Sequence, residues 1–236
     1  MKQHSIEVLY EDNHIIAVNK PAGVLVQGDK TGDKPISDLV KDYLVKKYAK
    51  AGEAYLGVPH RLDRPTSGIL ILAKTSKALP RLNKLFQDQE IEKTYWAIVK
   101  QKPEKEIDTL VHYLERNPKK NKSFAYLEDG KGRKKGELSY KLIFSLDNYH
   151  LLEVYPKTGR HHQIRSQLSI IGSPIRGDLK YGFDRSNEDA SISLHARSLK
   201  FIHPVKKEML EIIAPPPKRE VIWKAIHRLY LPTIKL

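Results

Sequence analysis

The stretch "VPHRLDRPTSGILILAKT", Val58 to Thr75, sets a turn punctuated by Pro and Gly directly ahead of an apolar run, Ile69 to Ala73. An unbroken run of that length behind turn signals reads as a strand buried on both faces. One carboxylate, Asp63, stands in the turn between Arg61 and Arg64. Aspartate is common in turns, and its neighbours could form ordinary surface ion pairs. The turn nevertheless delivers this acid to the mouth of a buried strand. Nearby guanidinium groups hold a carboxylate ionised, the state in which it acts as a nucleophile.

Working outward, "IEVLYEDNHIIAVNKP" reads as a hairpin joined at Glu11 to Asn13 and ended by Pro21. "SDLVKDYLVKKYA" reads as a helix capped by Ser37, with Leu39, Val40, Tyr43, Leu44 and Lys47 at helical spacing. Leu79, Leu82, Leu85 and Phe86 mark a second helix that tolerates Pro80 only near its first turn. "TYWAIV", "GELSYKLIFSL", "YHLLEVYP", "LHARSLKFIHP" and "EMLEIIAPPP" read as strands, the second and third of these adjacent. "GRHHQIRSQLSIIG" reads as a helix stopped by Gly172, and "REVIWKAIHRLY" as the last helix. Strand runs with short turns and a few helices predict an α+β fold: a mostly antiparallel mixed sheet with flanking helices. No repeat or linker divides the chain, so residues 1–236 are expected to form one domain. No phosphate-binding glycine loop of Walker or dinucleotide type is present.

Of 236 residues, 40% are hydrophobic and 30% charged, a globular composition, and no apolar segment approaches the roughly 20 residues of a membrane helix. The amino terminus lacks the apolar core of a signal peptide, and there is no cysteine. The expectation is a cytoplasmic chain without membrane contact, disulfides or thiolate metal sites. Lys and Arg number 42 against 28 Asp and Glu, a net charge of +14. Such an excess favours a polyanion partner, because each phosphate neutralised releases condensed counterions.

Several side chains carry further possibilities. His161 and His162 invite a metal, but adjacent positions point to different sides of a helix and no HExxH or cysteine partner accompanies them, so no metal is expected. Arg165 flanks the apolar stripe Ile164, Leu168 and Ile171. It either snorkels to water or faces an anion across a pocket, and the sequence leaves both open. Tyr95 alternates with Trp96, which sends the two rings to opposite faces of a sheet. Between Arg116 and Lys135, "RNPKKNKSFAYLEDGKGRKK" holds eight Lys/Arg against two acids, with Phe124 and Tyr126 interleaved. It reads equally as a solvated, mobile hairpin and as one that grips a polyanion.

Taken together these stretches resemble a known family. "HRLDRPTSGILILAK" (His60 to Lys74) is similar to the signature of the RluA-type RNA pseudouridine synthases. "NKPAGVLV" (Asn19 to Val26), "KTYWAIV" (Lys93 to Val99), "GRHHQIR" (Gly159 to Arg165), "GDLKYG", "LHA" and "FIHP" follow in the family's order. The resemblance implies the pseudouridine synthase catalytic fold and isomerisation of uridine to pseudouridine in structured RNA, tRNA or rRNA, with no cofactor. It implies Asp63 as nucleophile, Tyr95 as the ring that stacks on the target uracil, and Arg165 as the partner of Asp63. Arg61 would displace the target nucleotide or hold its phosphate, and His60, Arg64, Arg160, His162 and Ile164 would complete the substrate-binding set. His161 stands where the commoner motif has threonine. The resemblance begins almost at the first residue, implying a compact member without the small amino-terminal S4-type RNA-binding domain; separately, the chain is expected to be a monomer. A catalytically silent RNA-binding module is the alternative, and a glycosidase is disfavoured because no second acid in these motifs partners Asp63.

Overall fold

The computed structural model describes residues 6–29, 31–218 and 220–230. Residues 1–5, where the sequence reading found no leader core, and Arg219, the first residue expected in the last helix, lie outside them. Among the described residues ten strands and four α-helices make an α+β fold, in two compact units: residues 1–91 with 196–236, and Glu92–His195.

In the first unit, β1 (Glu7–Glu11) pairs antiparallel with β2 (Ile15–Lys20), and β2 with β3 (Ser67–Ala73). Every residue of β3 is buried, as its unbroken apolar run predicts. Beyond β3 lies β9 (Leu194–Ile202), which pairs antiparallel with β10 (Met209–Ile213). Helix α2 (Ala78–Gln87) packs against β3, with Pro80 in its first turn as expected. Helix α4 spans Val221–Leu229, its Trp223 amide capped by the Glu220 carboxylate.

Helix α1 (Ile36–Lys47) departs from its expected start. It opens after Pro35, whose φ of −77° already suits a helix entry, so Ser37 lies inside the first turn and caps nothing. Ile36, Val40 and Leu44 form its buried stripe. Its far end is fastened through Glu11, whose carboxylate accepts hydrogen bonds from Lys47, Lys74, Tyr43 and Tyr48. Burial alone would raise the pKa of Glu11, but these four donors overcome it and hold the group at about 2.

In the second unit the strands run β4 (Glu92–Val99), β8 (His150–Pro156), β7 (Lys134–Ser145), β5 (Ile107–Asn117), β6 (Lys122–Tyr126), each pair antiparallel. Helix α3 (Gln163–Ile170) lies on β5 and β6 over a core that includes Ala97, Leu138, Leu152, Val154, Ile164 and Leu168. The basic segment 116–135 is therefore the outer hairpin of a sheet, contributing the end of β5, all of β6 and the start of β7.

Helix α3 is shorter than its sequence suggests. Gly159 to His162 form a turn ahead of it, and His162 has a left-handed backbone, φ 53°, which no α-helix continues. Its other end stops as expected: Gly172, at φ 78°, donates to the Ser169 carbonyl while Ser173 donates to that of Leu168. That pair of bonds is the Schellman closure, which favours glycine at the left-handed position.

Gly68 is where the first unit tolerates no side chain. Its φ is 116°, and a Cβ there would lie 2.3 Å from the Ala196 carbonyl oxygen and 2.5 Å from the Ala196 nitrogen. Both are backbone atoms of a neighbouring strand and cannot yield. Gly68→Ala should therefore destabilise the protein by more than about 3 kcal/mol, combining backbone strain with overpacking, as read from urea unfolding. A loss below about 1 kcal/mol, the propensity difference between the two residues, would contradict the close approach.

Candidate active site

Asp63 sits in a turn closed by a hydrogen bond from Thr66 N–H to the Asp63 carbonyl, 3.0 Å. Leu62 is buried beneath it while Asp63 is half-buried and Arg61 and Arg64 are exposed, so the chain's alternation lifts the carboxylate towards solvent without releasing it. Arg64 is bound locally: its Nε donates to the Gly23 carbonyl at 2.9 Å and one terminal nitrogen pairs with Asp33 at 2.6 Å. In return Gly23 N–H donates to the Arg64 carbonyl at 2.8 Å.

Beneath this double clasp lies Lys20, fully buried at the end of β2. Its Nζ donates to the carbonyls of Val24 at 2.8 Å, Pro21 at 3.0 Å and Arg64 at 3.3 Å. An ammonium has three N–H groups, and three carbonyl oxygens receive them. Burial pulls its pKa down to about 7, against the charge of Asp63, which favours the ammonium. The turn carrying Asp63 and the Pro21 to Val24 turn are thus joined through one buried cation. Lys20 is visible in "NKPAGVLV" as a motif residue, but its acceptors are backbone carbonyls and leave no side-chain pattern to find.

His60 is placed as a structural acceptor. The Ile71 amide of β3 donates to its Nε2 at 3.0 Å, so that nitrogen carries no proton, and the ring stacks on Phe86 at 4.4 Å between centroids. Phe86 comes from α2, so His60 joins helix and strand below the Asp63 turn.

In the second unit Tyr95 is half-buried and packs on the core that contains Ile164. Trp96 points the other way, 1% exposed, and donates its indole N–H to Glu153 at 3.1 Å. The alternation of the two rings is as the sequence predicts. Ile164 is buried in the same core.

Arg165 does not snorkel. Its Nε and one terminal nitrogen engage Asp178 bidentately at 2.7 and 2.8 Å, with the two side chains 5% and 1% exposed, and its guanidinium lies 4.9 Å from the Tyr181 ring centroid. Both partners come from "GDLKYG", whose carboxylate the sequence displays without showing what it meets.

The two adjacent histidines do not diverge as they would on a helix. With His162 left-handed, the rings stack at 3.8 Å. His161 Nδ1 meets Ser123 Oγ at 2.8 Å, and His162 Nδ1 meets Tyr181 Oη at 3.0 Å. Burial, then the charge of Arg165, push His162 far below the ordinary histidine range, so it stays neutral. Arg160 is exposed and donates to the Lys135 carbonyl at 3.0 Å, while its own amide donates to Gln163. Among the described residues no group of three or more His, Cys, Asp or Glu is placed to hold a metal ion.

A sequence model of the family described as RNA pseudouridylate synthase matches residues 14–169. The chain belongs to that family. It is 33% identical over 225 residues to ribosomal large subunit pseudouridine synthase D of Zymomonas mobilis, covering 90% of this chain and 70% of that protein. It is 32% identical over 242 residues to tRNA pseudouridine synthase C of Vibrio vulnificus, covering 94% of each. Other ribosomal relatives are longer, and the chain spans 55 to 57% of the length of several of them. The fold is that of human RNA pseudouridylate synthase domain containing 4, with a TM-score of 0.79 at 24% identity over 94% of this chain and 92% of that one. The family consists of isomerases acting on RNA.

The Arg165–Asp178 pair allows a direct check. Arg165→Ala leaves a carboxylate buried without its cation and should lower unfolding free energy by about 3–5 kcal/mol in urea. Asp178→Asn on the same background should recover part of that loss, since the stranded charge is then gone. Equal stability of Arg165→Ala and wild type would show that the pair does not hold this unit.

Proposed function

We propose that this chain isomerises specific uridines in tRNA or rRNA to pseudouridine, working as a monomer in the cytoplasm, with Asp63 as the nucleophile. The observation that carries the reading is Asp63 itself: a half-buried carboxylate in the matched signature, on a turn braced through Lys20 and flanked by arginines. The tRNA and ribosomal RNA named for its relatives supply the substrate class.

An enzyme that alters a base inside a folded RNA must first extract it and hold it against an aromatic face. Tyr95 supplies that face, and exposed Arg61 holds the phosphate of the displaced nucleotide or takes its place in the stack. Arg165 is the third catalytic group, its guanidinium held in place by Asp178 and Tyr181. Asp63 forms a covalent bond to the nucleotide, the N1–C1′ bond opens, the uracil turns, a C5–C1′ bond forms, and the bond to Asp63 is broken to return the free carboxylate. The C5 proton is lost and N1 gains one, so the product is an isomer and the balance calls for no oxidant, reductant or cofactor. His60, His162 and Ile164 support this set from within their own units, and Arg160 and Arg64 hold the adjoining turns.

Asp63→Asn keeps the side chain's size but removes the charge and the nucleophile. Pseudouridine formation on cellular RNA should fall below detection, while RNA affinity holds or rises slightly with the loss of a negative charge. Full activity in the variant would remove Asp63 from the mechanism. A wild-type chain that binds RNA and modifies none would instead be a silent binding module.

The outer hairpin of the second unit adds RNA affinity. Lys119, Lys120 and Lys134 are exposed on it, and Arg133 lies 3.7 Å over the Tyr126 ring. Neutralising those three lysines should flatten the plot of log affinity against log salt, by roughly 0.7 to 0.9 for each phosphate they cease to neutralise. An unchanged slope would take this hairpin off the RNA surface.

A further inference from the structure

Lys93 stands two residues before Tyr95 on β4. Strand side chains alternate, so Lys93, Tyr95, Ala97 and Val99 share one face, and Ala97 and Val99 enter the core beneath α3 while Tyr95 packs at its margin. Lys93 is thus the next position outward from the stacking ring, about 6.7 Å along the strand. It is half-buried, and among the described residues no hydrogen bond, ion pair or neighbouring charge engages its ammonium.

Two other lysines drawn out of water are compensated. Lys74 pairs with Glu11, and Lys20 has three carbonyls. Glu92, the adjacent acid, alternates to the opposite face. A lysine without a partner ordinarily extends its amine into water, where the charge costs nothing. Lys93 is held partly out of water with no compensating anion, and burial accordingly lowers its hold on the proton.

We propose that Lys93 binds a backbone phosphate of the RNA, at or next to the nucleotide whose base stacks on Tyr95. The proposal rests on the pseudouridine synthase reading for the identity of the polyanion. A phosphate delivered with the RNA restores the missing counter-charge, and a single cation fixed beside the stacking ring sets the depth at which the nucleotide enters. Lys93 is a binding residue, so its loss acts on association and leaves the chemical step to the groups at the reacting atoms.

The test compares Lys93→Gln and Lys93→Arg with wild type in the full chain. Removing a desolvated charge should leave the urea unfolding midpoint no lower than wild type, which checks the fold. Binding of total cellular RNA across a salt series, measured in the Asp63→Asn background, should lose roughly 0.7 to 0.9 of slope with Gln and none with Arg. On the same RNA with Asp63 intact, Gln should raise KM with kcat unchanged. An unchanged salt slope with Gln overturns the proposal, and so does a fall in kcat at constant KM. Because the binding arm needs no turnover, the lysine's slope loss stands even if the wild type forms no pseudouridine, which would refute the reading of function and leave the phosphate interaction in place.

Discussion

Lys20 carries an ammonium into a place that water does not reach and gives its three N–H groups to the carbonyls of Pro21, Val24 and Arg64. Neither turn alone could satisfy it, since two acceptors lie in one and the third in the other. The cost of burying the charge therefore falls on any conformation in which the turns separate. Gly23 and Arg64 reinforce the junction from outside with two more bonds. The position of Asp63 follows from this, because a turn of four residues closed by one hydrogen bond would not by itself hold a carboxylate still. A cation behind the acid and arginines before it also fix the sign of the local field.

The second unit meets an analogous demand with side chains. Arg165 lies beneath solvent with Nε and one terminal nitrogen on Asp178, and Tyr181 touches the guanidinium with its ring while its hydroxyl accepts the Ser123 amide. His162 meets that same hydroxyl and remains neutral between Arg165 and the surrounding cations. The turn before α3, β6 and the segment after α3 are thereby held by one polar network. Ile164, one residue from Arg165, lies in the core on which Tyr95 packs. A charged group and an aromatic ring with proposed roles in catalysis thus share one rigid support.

What the sequence disclosed depended on whether a residue's partner was local and patterned. The strands at Ile15–Lys20 and Ser67–Ala73 were legible because continuous apolar runs have few other uses in a chain this charged. Asp63 was legible as an acid at the mouth of one of them. The strand Ile107–Asn117 went unseen because its inward positions read Leu110, His112, Leu114, and the histidine breaks the apolar alternation. Its burial is made tolerable by Gln167, 55 residues away. The start of α3 was misplaced because a left-handed histidine has no local signature; its hold comes from Tyr181, 19 residues on. That Asp178 engages Arg165 was hidden for the same reason, 13 residues along in a different turn. Among the described residues the two compact units, the second a continuous stretch inserted within the sequence of the first, left no compositional trace.

The outer hairpin closes its sheet with β6, a strand of five residues bonded on one side to β5. A strand at the end of a sheet is a template on which another chain could add itself, and here the Tyr181 hydroxyl already occupies the amide and carbonyl of Ser123. Lys119, Lys120 and Lys122 crowd one end of it, and Lys131 and Arg133 lie just beyond the other. A second copy approaching that border would bring the same cations against these. Like charge at both ends of the strand thus opposes strand addition by a second copy, the protection that edge lysines give an open sheet.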